Sequence, residues 1–237
     1  MLSGSNTCNG GTNITAGTLR ATGDYALPNY ASGTINVGAS GTLQVTTGEW
    51  NTMEIFNLLN NPNLLFTSGG TFAIDTTKGA FSNSTAIDIV NLGLTKLGAN
   101  TLTLTGTNSY TKTTTVDRGT LKIDAGAGAT LSASSPLTFT GTSTFNYDNT
   151  TATGAKAQSM AALTFSAGEG TVQVTRTAAH TVGLTFSSLA ARTAGATRNF
   201  VLDGTPGVNG TDSKIILTGQ AAGFIDQGTF FGGNAYA

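Results

Sequence analysis

One segment of this chain occurs twice. Residues 2–21, LSGSNTCNGGTNITAGTLRA, align without gaps to residues 104–123, LTGTNSYTKTTTVDRGTLKI, at an offset of 102 residues with seven of twenty positions identical. A fixed internal period constrains the fold more than any single motif, because a repeat too small to bury its own apolar face must stack on its neighbours. The identities are Leu2/Leu104, Gly4/Gly106, Asn6/Asn108, Thr12/Thr114, Gly17/Gly119, Thr18/Thr120 and Leu19/Leu121, with Arg20/Lys122 and Ile14/Val116 similar. They read as turn glycines and inward apolar positions. GLTKLGANTLT precedes the second copy, so that unit runs over 93–123, whereas nothing equivalent precedes Leu2. The chain reads as one continuous segment, 1–237, of a longer repeat protein, starting in mid-repeat.

Short alternating stretches recur along the chain, at 34–37, 42–45, 71–74, 101–104, 120–123, 137–139, 171–174, 184–186, 200–202 and 214–217. Each places alternate apolar residues on one face, as a half-buried strand requires. Gly, Asn, Asp and Ser between them supply turns and positive φ angles. Stacked as coils, such strands share a column of Leu, Ile, Val and Phe, so the pattern predicts an all-β parallel β-helix, or β-solenoid. Outward threonines favour extended backbone and can form ladders from turn to turn. A β-sandwich is the alternative on pattern alone. One stretch departs from it, an insertion over 49–62. Met53, Phe56 and Leu59, with Ile55 beside them, have helical spacing, Thr52 stands where a cap would, and Pro62 lies just beyond. A short surface helix near residues 52–60, packed against the solenoid, is expected.

Charged residues make up only 10% of the chain and the formal net charge is -1. That provides no basic field for nucleic acid. No stretch approaches the roughly 20 apolar residues that span a bilayer, and the first residues lack signal-peptide character, which puts any export signal outside the sequence. A single cysteine, Cys8, excludes an internal disulfide framework. It aligns with Tyr110, so its position is expected to be partly buried.

Catalytic chemistry finds few footholds. His180 is the only histidine, so a paired-histidine metal site is unavailable and a Ser-His-Asp triad would rest on it alone. The carboxylates Asp24, Glu49, Glu54, Asp75, Asp88, Asp117, Asp124, Asp148, Glu169, Asp203, Asp212 and Asp226 are strung out singly, with no visible grouping alongside Arg or Lys. Glycosidases need two carboxylates about 5–10 Å apart, which stacking of distant residues permits in principle. The Gly-Gly-x-Gly-x-Asp calcium signature is absent, and Asp203-Gly204 and Asp212 near Asn209-Gly210 read as turns. DAGAGA at 124–129 lacks the Lys-Ser/Thr ending of a phosphate loop. No cofactor or metal is expected.

LTKLGANTLTLTGTNSY at 94–110, continuing to Gly119-Thr120-Leu121, resembles the autotransporter-associated β-strand repeat of large secreted bacterial proteins. The family's usual Gly-Gly before the Thr-Thr-Val step is kept at Gly10-Gly11 and lost at Lys112-Thr113. Stretches 72–81, 192–200 and 228–237 are similar to other parts of such proteins. The resemblance implies a right-handed parallel β-helix at an extracellular or outer cell-surface address, and brings no catalytic residues with it. The reading that follows is a non-catalytic scaffold segment, possibly fibre-building, whose partners are neighbouring repeats or other copies of itself stacked end to end. An adhesin gripping cell-surface carbohydrate through exposed aromatics, with Trp50, Tyr25 and Tyr30 as candidates, is the second reading. A polysaccharide-degrading β-helix enzyme is the third.

Overall fold

A computed structural model describes the whole chain except residues 68, 178–179, 204–212, 222, 234 and 237, and gives the backbone alone at 235–236. In chain order the strands begin with β1 (Thr12–Arg20), β2 (Ile35–Thr46), β3 (Leu64–Phe66), β4 (Thr71–Asp75), β5 (Phe81–Asn83) and β6 (Gly93–Leu97). Then come β7 (Thr101–Leu104), β8 (Thr114–Val116), β9 (Gly119–Asp124), β10 (Leu137–Phe139), β11 (Ser143–Asn149) and β12 (Lys156–Phe165). The last are β13 (Glu169–Arg176), β14 (Val182–Leu189), β15 (Thr197–Leu202), β16 (Ser213–Leu217), β17 (Thr229–Phe231) and β18 (Ala235–Tyr236).

These strands wind into a parallel β-solenoid of about seven turns. One sheet has ten strands, ordered β1-β2-β4-β6-β8-β10-β12-β14-β16 with β3 branching from β2, and the other has eight, β18-β17-β15-β13-β11-β9-β7-β5. All pairings are parallel except β17 with β18. The sequence patterning had pointed here, and the sandwich alternative is set aside, because consecutive strands alternate between sheets and each pairs with the next turn instead of its chain neighbour. Turn length is not constant: the step from Thr101 to Thr120 takes 19 residues and that from Arg198 to Thr229 takes 31.

Inside the coil the inward positions stack into columns. Val45, Ile74, Lys96, Val116, Phe139 and Phe165 are partners on successive strands of the first sheet. Leu102, Leu121, Phe145, Val172, Phe200 and Phe231 form the facing column. Burying each large apolar side chain stabilises the coil by about 1.5–3 kcal/mol. Phe139 and Phe165 also stack ring on ring, centroids 4.9 Å apart. On the outside, Thr95, Thr115, Thr138 and Thr164 run up one sheet and Thr101, Thr120, Thr144 and Thr171 up the other, as the outward-threonine expectation holds.

Lys96 interrupts the first apolar column and is fully buried. Its Nζ donates to the carbonyls of Leu97 (2.8 Å), Gly98 (2.7 Å) and Arg118 (2.8 Å), so all three ammonium protons are satisfied and one of the bonds ties two turns together. Burial pushes its pKa down to about 8, against the pull of Asp75 and Asp117.

The two sequence copies do not occupy the same side of the coil. Thr12, Asn13 and Ile14 pair with Ile35, Asn36 and Val37, which go on to Leu64, Leu65 and Phe66 in the β3 branch. Their counterparts Thr114, Thr115 and Val116 lie instead on the main path of the ten-stranded sheet. Likewise Gly17 to Arg20 stand in the ten-stranded sheet and Gly119 to Lys122 in the other. Going from Thr18 along Thr42, Thr71 and Gly93 to the turn of Thr114 takes four rung-to-rung steps, about 19 Å at the usual strand spacing. Turns of 20 residues would have made five. β1 and β2 bend between their two arms at a bulge after Ile14, where a Cβ on Gly41 would stand 2.3 Å from the Ile14 carbonyl.

The expected helix is present as α1 (Thr52–Leu59), but it buries Ile55, Leu58 and Leu59 while Met53 (64% exposed) and Phe56 (45%) face outward. The Met53–Phe56–Leu59 stripe is therefore corrected. Nor is Thr52 the cap: Asn51 Oδ1 accepts from the Glu54 N–H (3.0 Å) and the Glu54 carboxylate accepts from the Asn51 N–H (2.8 Å), a reciprocal capping box.

Candidate functional surfaces

The turn that leaves β2 for α1 builds a cleft of about 510 Å³. Its lining includes Thr47, Trp50, Asn51, Glu54, Lys78 and Phe81. At its floor Glu49 Oε1 accepts from Arg20 Nη2 (2.7 Å) and Lys78 Nζ (2.8 Å). The three residues come from three successive turns and lie 29 residues apart in sequence, one turn length at this level. Burial alone would raise the Glu49 pKa, but the hydrogen bonds and charges of Lys78 and Arg20 outweigh it and hold the carboxyl below the usual range. A carboxylate ionised and bound this way is a poor proton donor or shuttle and a good clamp between turns.

A second cleft, about 370 Å³, opens between the ends of β14 and β15 and the segment before β17. Arg192 Nε (3.3 Å) and Arg198 Nη1 (3.2 Å) both reach the Asp226 carboxylate. The carboxyl also accepts from the Gly228 N–H (2.8 Å) and the Thr229 hydroxyl (2.9 Å). Against the effect of burial, these bonds and the two arginine charges hold its pKa low. The expectation that no carboxylate keeps company with Arg or Lys is corrected by both clefts, and by the Lys122–Asp148 ion pair across neighbouring strands. Folding supplies groupings that spacing along the chain hides.

Of the aromatics singled out for surface binding, only Tyr25 is openly exposed, at 53%. Trp50 lies in the core at 1%, its Nε1 donating to the Ala21 carbonyl (2.8 Å), and Tyr30 meets it edge to face with centroids 5.3 Å apart. Trp50 is thus a packing residue, a correction to its candidacy as a surface anchor. Cys8 is exposed, not partly buried as its alignment with Tyr110 suggested. Tyr110 is buried because its turn packs on the Ile87 turn, which accepts its N–H, and its hydroxyl meets Thr114 Oγ1 at 2.8 Å. Cys8 stands on the outermost described turn. His180 is half-buried next to residues outside the described set, and Asp212 with the Asn209-Gly210 turn also falls outside it. Among the described residues no group of three or more His, Cys, Asp or Glu is placed to hold a metal ion, and no helix is long and apolar enough to cross a membrane.

Two buried cations, Lys96 and Arg198, were missed by sequence reasoning although alternation carried the signal. Lys96 stands two residues after inward Leu94, and Arg198 two before inward Phe200.

The solenoid presents its own ladder at its ends: β1 is the first strand of the ten-stranded sheet and its outer residues are largely exposed. This is the architecture of a stacked-repeat β-solenoid, in which one coil is the template for the next. Two segments, residues 1–21 and 94–123, match the family model of the passenger-associated-transport-repeat, and together with the solenoid this fits an autotransporter passenger repeat protein. The matched residues amount to about a fifth of the chain. No curated protein and no solved structure matches it.

Proposed function

We propose that this chain is a non-catalytic segment of a passenger rod at a bacterial surface or in the secreted fraction, where its coils extend and space the molecule. The observation that carries this reading is the pair of long parallel sheets, with hydrogen bonds running along the coil axis and an outer edge on β1. An edge of that kind pairs with a further coil, from the same chain or from another copy, and head-to-tail pairing gives an open filament rather than a closed ring. A fold-and-repeat match names a structural element and not a chemistry, which is why the site residues carry the rest of the argument. Sedimentation velocity across a concentration series, with negative-stain electron microscopy of the same samples, tests the reading. Concentration-dependent rods that grow along one axis support it; a monodisperse monomer at high concentration counts against end-to-end stacking.

A second reading, a module that grips cell-surface carbohydrate, is favoured by one feature, the α1 cleft with its mixed wall of Asn51, Thr52, Lys78 and Phe81. Its test is glycan binding by the wild type and by Lys78→Ala. Equal binding by the two removes this cleft from consideration.

A further inference from the structure

The Arg192–Arg198–Asp226 cleft holds a charge imbalance inside the fold. Two guanidinium groups share one carboxylate, so the grouping carries one net positive charge. Arg198 is 2% exposed, at an inward position of β15 between Phe165, whose ring centroid its Cζ approaches to 5.5 Å, and the loop of Asp226. Burial of a cation without matching anions is costly, and the usual remedy is a partner of opposite charge. The protein supplies only half of that partner.

Donor accounting points the same way. A guanidinium carries five N–H donors. Arg198 directs Nη1 to Asp226 and Thr229 and Nη2 to the Ala190 carbonyl, leaving its buried Nε without an acceptor. Arg192 directs Nε to Asp226 and Nη1 to the Ala196 carbonyl, which leaves Nη2. Both residues line the open cleft, and Gln220 adds a side-chain amide at its rim, with Leu189 and Ile225 as apolar wall. The Arg198 charge is also opposed by its neighbour Arg192, the repulsion an anion between them would relieve.

We infer that this cleft is a binding site for a single oxyanion group, a carboxylate or a sulfate, contacted by Arg192 and Gln220 and held by the field of Arg198. Planar guanidinium donors suit such groups better than an ammonium, because they present a fork that matches two oxygens. The group arrives either as a free anion or as the pendant acid of a polysaccharide. This inference does not depend on the rod reading, since it concerns the flank of the coil and not its ends.

Calorimetric titration of the full chain at constant ionic strength, with sulfate, acetate, an oligogalacturonate and a neutral maltohexaose as probes, tests it. Saturable binding of sulfate or acetate is expected, weakened about tenfold or more in Arg192→Gln and measurably in Arg192→Lys, which keeps the charge and loses the fork. Gln220→Ala, at an exposed position, gives a second variant with little risk to folding. Arg118→Gln, which removes an equal charge from a distant exposed site, is expected to bind as the wild type does. Tighter binding of oligogalacturonate than of acetate assigns the site to a polymer-borne acid, and equal binding assigns it to the free ion. No saturable heat with any acidic probe, or equal weakening by Arg118→Gln and Arg192→Gln, overturns the inference and leaves the grouping as a pin for the loop before β17.

Discussion

Lys96→Met separates the two roles of the buried ammonium. Methionine fills a similar length of the apolar column between Ile74 and Val116, so packing changes little. What changes is polar. Leu97 O keeps its bonds from the Thr76 N–H and hydroxyl, but Gly98 O and Arg118 O lose the donor seen here. Leaving a buried acceptor unsatisfied costs about 1–3 kcal/mol. Against that, the lysine itself is held from its ordinary 10.5 down to about 8, so the folded state disfavours the ammonium by roughly 3 kcal/mol relative to the unfolded chain. At pH 7.5 both states are protonated, the penalty is fully present, and the variant sits within about 2 kcal/mol of the wild type. Between pH 8 and 10.5 the unfolded chain binds the extra proton, so wild-type stability from this group rises with pH. The variant has no such group and forgoes the gain. Urea unfolding followed by Trp50 fluorescence at pH 7.5, 9 and 10.5 is therefore expected to show the variant falling behind the wild type by about 3 kcal/mol over that range. Tyr110 and Tyr147, whose phenols burial holds above their usual range, also respond to alkali, but equally in both proteins, so they cancel in the difference. A difference that stays flat with pH refutes the buried-ammonium account.

Further outcomes follow from single contacts. Gly119→Ala is expected to lower stability by at least about 2 kcal/mol, since a Cβ there lies 2.5 Å from the Ala99 carbonyl at φ 65°, while Gly17→Ala, at φ 74° with open space around it, costs only the left-handed strain of about 1–2 kcal/mol; thermal melts compare them. Asn108→Ala removes two donor bonds, to Gly106 O and Thr130 O, and an acceptor for the Ile87 N–H, so a loss of about 2–3 kcal/mol is expected in urea unfolding. The Asp148 carboxyl is held below its ordinary value: burial, which raises it, is outweighed by hydrogen bonds from Lys122, Thr150 and Thr175. Its contribution is thus present above the usual carboxylate range and lost as pH falls through the depressed value, and Asp148→Asn should flatten that acid limb of the stability curve. Four Gly/Ser residues inserted between Thr153 and Gly154, in an outward corner, should cost under about 1 kcal/mol, whereas the same insertion between Ala99 and Asn100 should abolish the cooperative unfolding transition.

The strands were legible because alternation survives wherever one face is buried, and each stretch read from the pattern lies within a strand or abuts its start. The face of α1 was not, for a physical reason: Met53, Ile55, Phe56, Leu58 and Leu59 are apolar nearly all round, so spacing cannot choose which side meets the coil. Its cap was legible, since Asn51 and Glu54 stand three apart as a capping box requires, and Thr52 drew attention away from it. The buried cations were legible too, provided alternation is followed through a charge. Strand β15 has Arg198, Phe200 and Leu202 on one face. What spacing along the chain hides is grouping between turns. Arg20, Glu49 and Lys78 meet only because turns at that level take 29 residues, and other turns of the same coil take from 19 to 31.

That variability has a cause in what the repeat encodes. In the first copy Asn6 donates to Gly4 O (3.4 Å) and to Ala26 O (2.8 Å) on the next turn; in the second, Asn108 donates to Gly106 O (2.7 Å) and to Thr130 O (3.1 Å) on its next turn. The same residue closes the same local bend and fastens it to the coil above, although the two copies stand on different sides of the solenoid. A repeat of this kind therefore fixes a strand, a corner, a second strand and a staple, and leaves open how many residues complete the turn. Two fixed arms supply the backbone ladder, the columns of inward side chains supply the burial, and the remainder of each turn is free to carry a helix such as α1, a clamp such as Glu49 or a charged cleft such as that of Arg192 and Arg198. Function on such a rod is accordingly sought in the variable corners, while the repeated residues account for its length.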